Sequence, residues 1–200
     1  MGYAKLLLAL LGAALLQLGD CAAAQSAPPY VALLTTMGSI VVRLDPEHAP
    51  ASVANFLRYV NEKHFDDTLF YRVVPGFVIQ AGSYGLDGKS RPTHESIPLE
   101  ANNGLKNVRG AISMARNDDP NSADAEFFIV LADNPGLDHK PDDPGNTTGY
   151  AVFGRVVQGM DIVDMIAGVP LGGTGPFGAA APGTPVVINR TLLLPMTTPR

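Results

Sequence analysis

An arginine, a glutamine and several apolar residues are crowded into Phe70-Tyr71-Arg72-Val73-Val74-Pro75-Gly76-Phe77-Val78-Ile79-Gln80-Ala81-Gly82. Two β-rich runs flank a Pro-Gly turn, so a hairpin folds them back on each other and sets Arg72 near the level of Ile79 or Gln80. A cation and an amide can then share one face, and the chemistry open to them is hydrogen bonding and charge stabilisation by donors held in a fixed fork. The plainer reading is a rim arginine on an edge strand. A second stretch, Gly110-Ala111-Ile112-Ser113-Met114-Ala115-Arg116, leads into Asn121-Ser122-Ala123-Asp124-Ala125-Glu126-Phe127-Phe128-Ile129. On a strand, adjacent Phe127 and Phe128 point to opposite faces. One then fills the core and the other is left for a surface groove, unless both faces are covered.

Other chemistries find little support. His48, His64, His94 and His139 show no metal-ligand spacing, so neither a metal nor any other cofactor is expected. Ser113 and Ser122 lack the Gly-x-Ser-x-Gly context of a hydrolase. The net charge of −5, with no run of Lys and Arg along the chain, argues against a nucleic acid partner.

The elements that must position these residues follow from periodicity. Val31–Thr36 and Ile40–Leu44 are rich in β-branched residues, and Met37-Gly38-Ser39 supplies a turn between them. Pro50 suits a first helical turn. Val53, Phe56, Leu57 and Val60 make one apolar stripe, with Asn55, Arg58 and Asn61 pointing elsewhere. Further strands are predicted at 69–74, 77–81, 111–115, 126–131, 151–157 and 186–194. A second helix is predicted over 160–167, where Met160, Val163 and Ile166 or Ala167 share a face. Many strands, few helices and no βαβ alternation favour a closed antiparallel barrel or sandwich. The stretches 83–107 and 168–184 read as long loops.

The N-terminus reads as an export leader. Lys5 precedes an apolar run from Leu6 to Leu18, then Ala22-Ala23-Ala24, so cleavage is predicted after Ala24. The run is shorter than the roughly 20 residues that span a bilayer. Cys21 is the only cysteine, and a cleaved chain would carry no thiol. A lipid anchor at Cys21 is the lesser reading, because Asp20 stands where such a processing site has a small uncharged residue. The chain thus divides into a leader at 1–24, a linker at 25–29, one domain at 30–195 and a tail at 196–200. It is expected to be exported as a monomer, periplasmic or secreted.

Taken together, the two informative stretches resemble the cyclophilin family of peptidyl-prolyl cis-trans isomerases. The match continues through Leu137-Asp138-His139 and Gly149-Tyr150-Ala151-Val152-Phe153-Gly154-Arg155-Val156-Val157-Gln158-Gly159-Met160-Asp161, and its flavour is that of exported bacterial members. The resemblance implies an eight-stranded antiparallel barrel closed by two helices, with proline-containing peptides and unfolded exported proteins as partners. It implies that Arg72 is the catalytic arginine and that Phe77, Val78, Phe128 and Leu137 form the pocket for the proline ring. Gln80, Ala115, Arg116 and Asn117 take positions that contact the peptide backbone. Tyr150 stands where many relatives have His beside the pocket.

Three departures stand out. Glu126 replaces the family's usual Gln, placing a carboxylate near Arg72 where an ion pair could either hold that side chain or compete with substrate. Gly136 fills the position of the Trp found in cyclosporin-sensitive members, so weak inhibition by that drug is expected. The segment from Lys140 to Thr148 is longer than the family's link and is expected to form a flexible loop beside the pocket. A peptide-binding chaperone of the same fold with weak catalysis is the alternative function.

Overall fold

The computed structural model describes residues 27–173 and 178–195; the leader at 1–24 with Cys21, residues 25 and 26 of the linker and the tail at 196–200 lie outside them. Apolar, β-branched residues build the first hairpin, β1 (Tyr30–Thr35) and β2 (Gly38–Leu44). Thr35 pairs with Gly38, so the turn is Thr36-Met37, one residue earlier than predicted. The Thr35 hydroxyl fixes it by donating to Gly38 O at 2.7 Å and accepting from Met37 N at 3.1 Å. Helix α1 (Pro50–Asn61) follows, then β3 (Thr68–Leu69), β4 (Arg72–Val74), β5 (Val78–Ala81), β6 (Ala111–Met114), β7 (Phe127–Val130), β8 (Val152–Gln158), α2 (Met160–Ala167) and β9 (Val187–Leu194).

One antiparallel sheet runs β3-β9-β1-β2-β8-β6-β7-β5-β4. Its two edges, β3 and β4, are separated in sequence only by Phe70 and Tyr71. The chain therefore links one edge of the sheet to the other, and the sheet must curl round on itself. The run predicted as one strand over 69–74 is the broken strand at this seam. Counting its halves together recovers the eight strands expected, and counting them separately gives nine.

Alternate residues of each strand fill the interior, where Val31, Leu33, Ile40, Val42, Leu44, Ile79, Ile112, Phe127, Ile129 and Phe153 are buried in one cluster. Both helices turn apolar faces into it: Val53, Phe56 and Val60 from α1, Val163 and Ile166 from α2. The Phe56 ring lies 5.1 Å from Phe65, 5.4 Å from Phe127 and 5.1 Å from Phe153, centroid to centroid. Asn55 departs from the predicted polar face of α1. It is buried, and its amide donates to Asp124 O, so the helix clamps the chain entering β7.

Candidate active site

The β4–β5 hairpin settles the level of the arginine: Arg72 pairs with Gln80, not Ile79. Pro75 and Gly76 make the tight turn. Phe77 N donates to Val74 O at 2.9 Å, and Gly76 takes φ +73°, which a glycine adopts without strain in the third position of a type II turn. Gln80 in turn lies opposite Phe128 on β7, and Phe128 opposite Ser113 on β6. Three strands thus set a cation, an amide and an aromatic ring in one row.

Phe127 and Phe128 divide as the alternation requires. Phe127 belongs to the interior, whereas Phe128 joins a second, smaller cluster with Val78, Ala111, Ala115, Val130 and Val152, against which Phe77, Leu105, Leu137 and Tyr150 pack. Phe128 is only 4% exposed, so it floors the groove rather than standing out into it. Tyr150 meets it edge-on at 5.4 Å, and Phe77 carries the Arg72 guanidinium 6.0 Å from its centroid. Buried polar groups hold the Leu137 wall: Ser113 Oγ donates to Asn107 Oδ1 at 2.8 Å, and Asn107 Nδ2 donates to Leu137 O at 3.0 Å.

Arg72, Phe77, Val78, Gln80, Ala115, Arg116, Asn117, Glu126, Phe128, Leu137 and Tyr150 all line one groove of about 440 Å³. Its apolar end is Phe77, Val78, Phe128 and Leu137. Apart from Ala115 and Tyr150 the remainder is polar, and it includes Ser83, Ser90, Thr93, Ser122 and Asp124, which the sequence reading did not select.

The Glu126 carboxylate reaches Arg72 indirectly. Arg72 Nη1 donates to Gln80 Oε1 at 3.1 Å, and Gln80 Nε2 donates to Glu126 Oε2 at 2.8 Å. Among the described residues no ion pair joins Arg72 to Glu126, so the direct contact foreseen for them is replaced by a relay through Gln80. Tyr71 completes it, its hydroxyl lying 2.5 Å from both Glu126 Oε2 and Gln80 Nε2. Burial and then the Glu126 charge push the Tyr71 hydroxyl far above the usual phenol range, so it stays a donor.

The 140–148 segment is organised by Asp143, whose side chain accepts from the backbone N–H groups of Gly145, Thr147 and Thr148. Burial opposes its ionisation, but these bonds outweigh it and hold the carboxyl below its ordinary value. Arg116 ties the segment to the groove. It donates to Gly149 O at 3.1 Å and Thr147 O at 3.3 Å while lying 5.0 Å from the Tyr150 centroid. Among the described residues no group of three or more His, Cys, Asp or Glu is placed to hold a metal ion, and no helix is long and apolar enough to cross a membrane.

The chain and its fold are similar to those of known proteins. The family model described as cyclophilin type peptidyl-prolyl cis-trans isomerase/CLD matches residues 30–192. Peptidyl-prolyl cis-trans isomerase A of Dickeya dadantii is 44% identical over 165 residues, covering 82% of this chain and 84% of that protein. Peptidyl-prolyl cis-trans isomerase B of Escherichia coli is 45% identical over 141 residues, covering 70% and 85%. In fold, a crystal structure of a Cryptosporidium parvum cyclophilin-type isomerase superposes with TM-score 0.69 at 22% identity, over 85% of this chain and 99% of that one.

Proposed function

The chain belongs to the cyclophilin-type peptidyl-prolyl cis-trans isomerase family, and from that premise we propose how its groove performs the family's reaction, the rotation of X-Pro bonds. Resonance stiffens the peptide C–N bond, giving a barrier of about 18–20 kcal/mol, and uncatalysed X-Pro isomerisation takes tens of seconds or more. No bond need break. In the twisted transition state the prolyl nitrogen becomes pyramidal and regains a lone pair. A guanidinium aimed at it stabilises that state more than either planar form. Arg72 is that donor. Phe77, Val78, Phe128 and Leu137 grip the proline ring, and Gln80, Ala115, Arg116 and Asn117 hold the flanking peptide while the acyl side turns. An acceleration of about 10⁵ requires a barrier lower by roughly 7 kcal/mol.

The observation that carries this reading is the Arg72–Gln80 pair set beside an apolar socket in one groove. Arg72→Ala should lower kcat/KM on a prolyl peptide by about 10²–10³-fold, the cost of removing one donor aimed at developing charge. NMR exchange spectroscopy reads both rate and affinity. An unchanged rate overturns the assignment, and a wild-type protein that binds the peptide without accelerating it favours the chaperone alternative.

The proposed setting is outside the cytoplasm, in the periplasm or secreted, with exported polypeptides as clients. The support is Lys5, the apolar run to Leu18 and the Ala22-Ala23-Ala24 motif. N-terminal sequencing of the product from its native host should begin at Gln25. A product beginning at Met1, or one acylated at Cys21, refutes that processing.

A further inference from the structure

Along the sequence the cations of this acidic chain are dispersed, yet folding brings four of them to a second groove, of about 240 Å³. Arg43 comes from β2, Lys106 and Arg109 from the loop before β6, and Arg155 from β8. Two have acidic partners: Lys106 lies 3.7 Å from Asp138, and Arg109 2.7 Å from Asp164. Arg43 and Arg155 have none within ion-pair distance among the described residues. They sit directly opposite each other on neighbouring antiparallel strands, an arrangement in which like charges repel. Arg43 Nε is, among the described residues, the one buried side-chain polar atom without a hydrogen-bond partner. The groove's carboxylate, Asp45, attracts Arg43 without forming an ion-pair contact with it, and is engaged through Oδ1 by His48, whose N and Nδ1 lie at 3.2 and 2.9 Å.

Between these cations the floor is apolar. Leu105, Ala111 and Val152 line it, and Val108 stands 47% exposed at its edge. Leu105, Ala111 and Val152 also pack in the same small cluster as Phe128, so one patch of apolar side chains floors both grooves. A surface that sets two guanidinium groups without ion-pair contacts beside an apolar floor complements a carboxylate next to an apolar side chain. We propose that this groove is an exosite for acidic segments of the polypeptides the enzyme acts on. A client carboxylate lies between Arg43 and Arg155, and its neighbouring apolar side chain rests on Leu105, Ala111 and Val152. The polypeptide nature of the occupant rests on the isomerase activity; the site itself does not depend on Arg72.

The probe is a proline-free acetylated peptide amide, Asp-Phe-Glu-Leu, titrated into the ¹⁵N-labelled protein, with Lys-Phe-Lys-Leu and octanoate in parallel. The acidic peptide should shift amides of residues 43–45, 105–111 and 152–155, and the basic one should not. Arg155→Glu, a change at an exposed position that places an opposite charge across from Arg43, should weaken binding about tenfold and leave turnover of a short prolyl peptide unchanged. Absence of shifts, equal shifts by both peptides, octanoate binding without peptide binding, or full affinity in Arg155→Glu overturns the proposal. Arg72→Ala should retain the binding, so failure of the exosite and failure of the catalytic assignment are read separately.

Discussion

An ionised carboxylate accepts hydrogen bonds and donates none, so Glu126 obliges Gln80 to turn its amide nitrogen inward and its oxygen toward Arg72. The guanidinium then has an acceptor at the place where it must wait for substrate. A glutamine at 126 could present either end of its amide and would not impose that orientation. Glu126→Gln is therefore expected to lower kcat/KM by about three- to tenfold, the scale of one hydrogen bond. Tyr71→Phe, which takes a donor from the same carboxylate, should have a similar effect. Because both act through Gln80, the double variant should cost less than the two changes combined. Steady-state kinetics on a prolyl peptide checks this, and rates and affinities equal to wild type in both single variants contradict it. The Pro-Gly turn alone sets Arg72 opposite either Ile79 or Gln80, and the structure selects Gln80; the nearness of the cation to that amide was legible in the sequence. Tyr71 was not. Strand alternation sends the neighbour of Arg72 to the other face, and only the break in pairing between β3 and β4 lets Tyr71 reach Glu126.

Helix α1 illustrates how an element depends on a distant segment. Its N-cap, Ala49, has no side-chain oxygen to offer, and the open N–H groups of Ala51 and Ser52 are met instead by Glu100, at 2.9 and 2.8 Å. A carboxylate there also faces the positive end of the helix dipole. The same long loop is held to α1 again at His94, which lies 2.6 Å from Glu62 and 2.8 Å from Arg58. Between these fastenings and β5 the loop carries Ser90 and Thr93 into the active groove. Glu100→Ala should therefore destabilise the protein by about 1 kcal/mol, the usual cost of losing a cap. It should also raise KM more than it lowers kcat, since what it loosens is a binding wall. Urea unfolding and kinetics test the two halves, and unaltered stability would show that Glu100 is no cap. The apolar stripe of α1 and the β-branched runs were readable because burial imposes their periods. The fastening of loop 83–107 was not, since it joins residues about 50 positions apart with no local pattern. Asn55 was misread for a related reason: a polar residue can occupy a buried position when a backbone carbonyl such as Asp124 O is there to satisfy it.

At the scale of the whole molecule, a second seam, distinct from the break between β3 and β4, lies where α1, the short link after it, the end of β5 and the long loop meet, and His64 sits there. Its Nε2 lies 2.9 Å from Gly82 O, Arg91 Nη1 donates to its backbone oxygen at 2.5 Å, and its ring packs 4.6 Å from that of Tyr59. Burial disfavours the charged imidazole and holds its pKa below the ordinary 6.5, an effect greater than the opposing bond to Gly82. The unfolded chain therefore takes up this proton more readily than the folded one. The contribution of His64 is fully present above about pH 6.5 and is lost as the pH falls through its lowered folded value. His48 has the opposite slope, because its hydrogen bond to Asp45 raises its pKa, but it is exposed and screened by solvent. The lowered carboxyls of Asp45, Glu62 and Asp143 lose their contribution only in a more acidic range, below about pH 4. The urea midpoint of the wild-type protein should fall between about pH 6.5 and pH 5. His64→Gln, which keeps a donor for Gly82 O and cannot take up a proton, should be nearly flat across that window. Equal slopes for the two proteins would mean that the seam is insensitive to this proton and that acid weakens the barrel elsewhere.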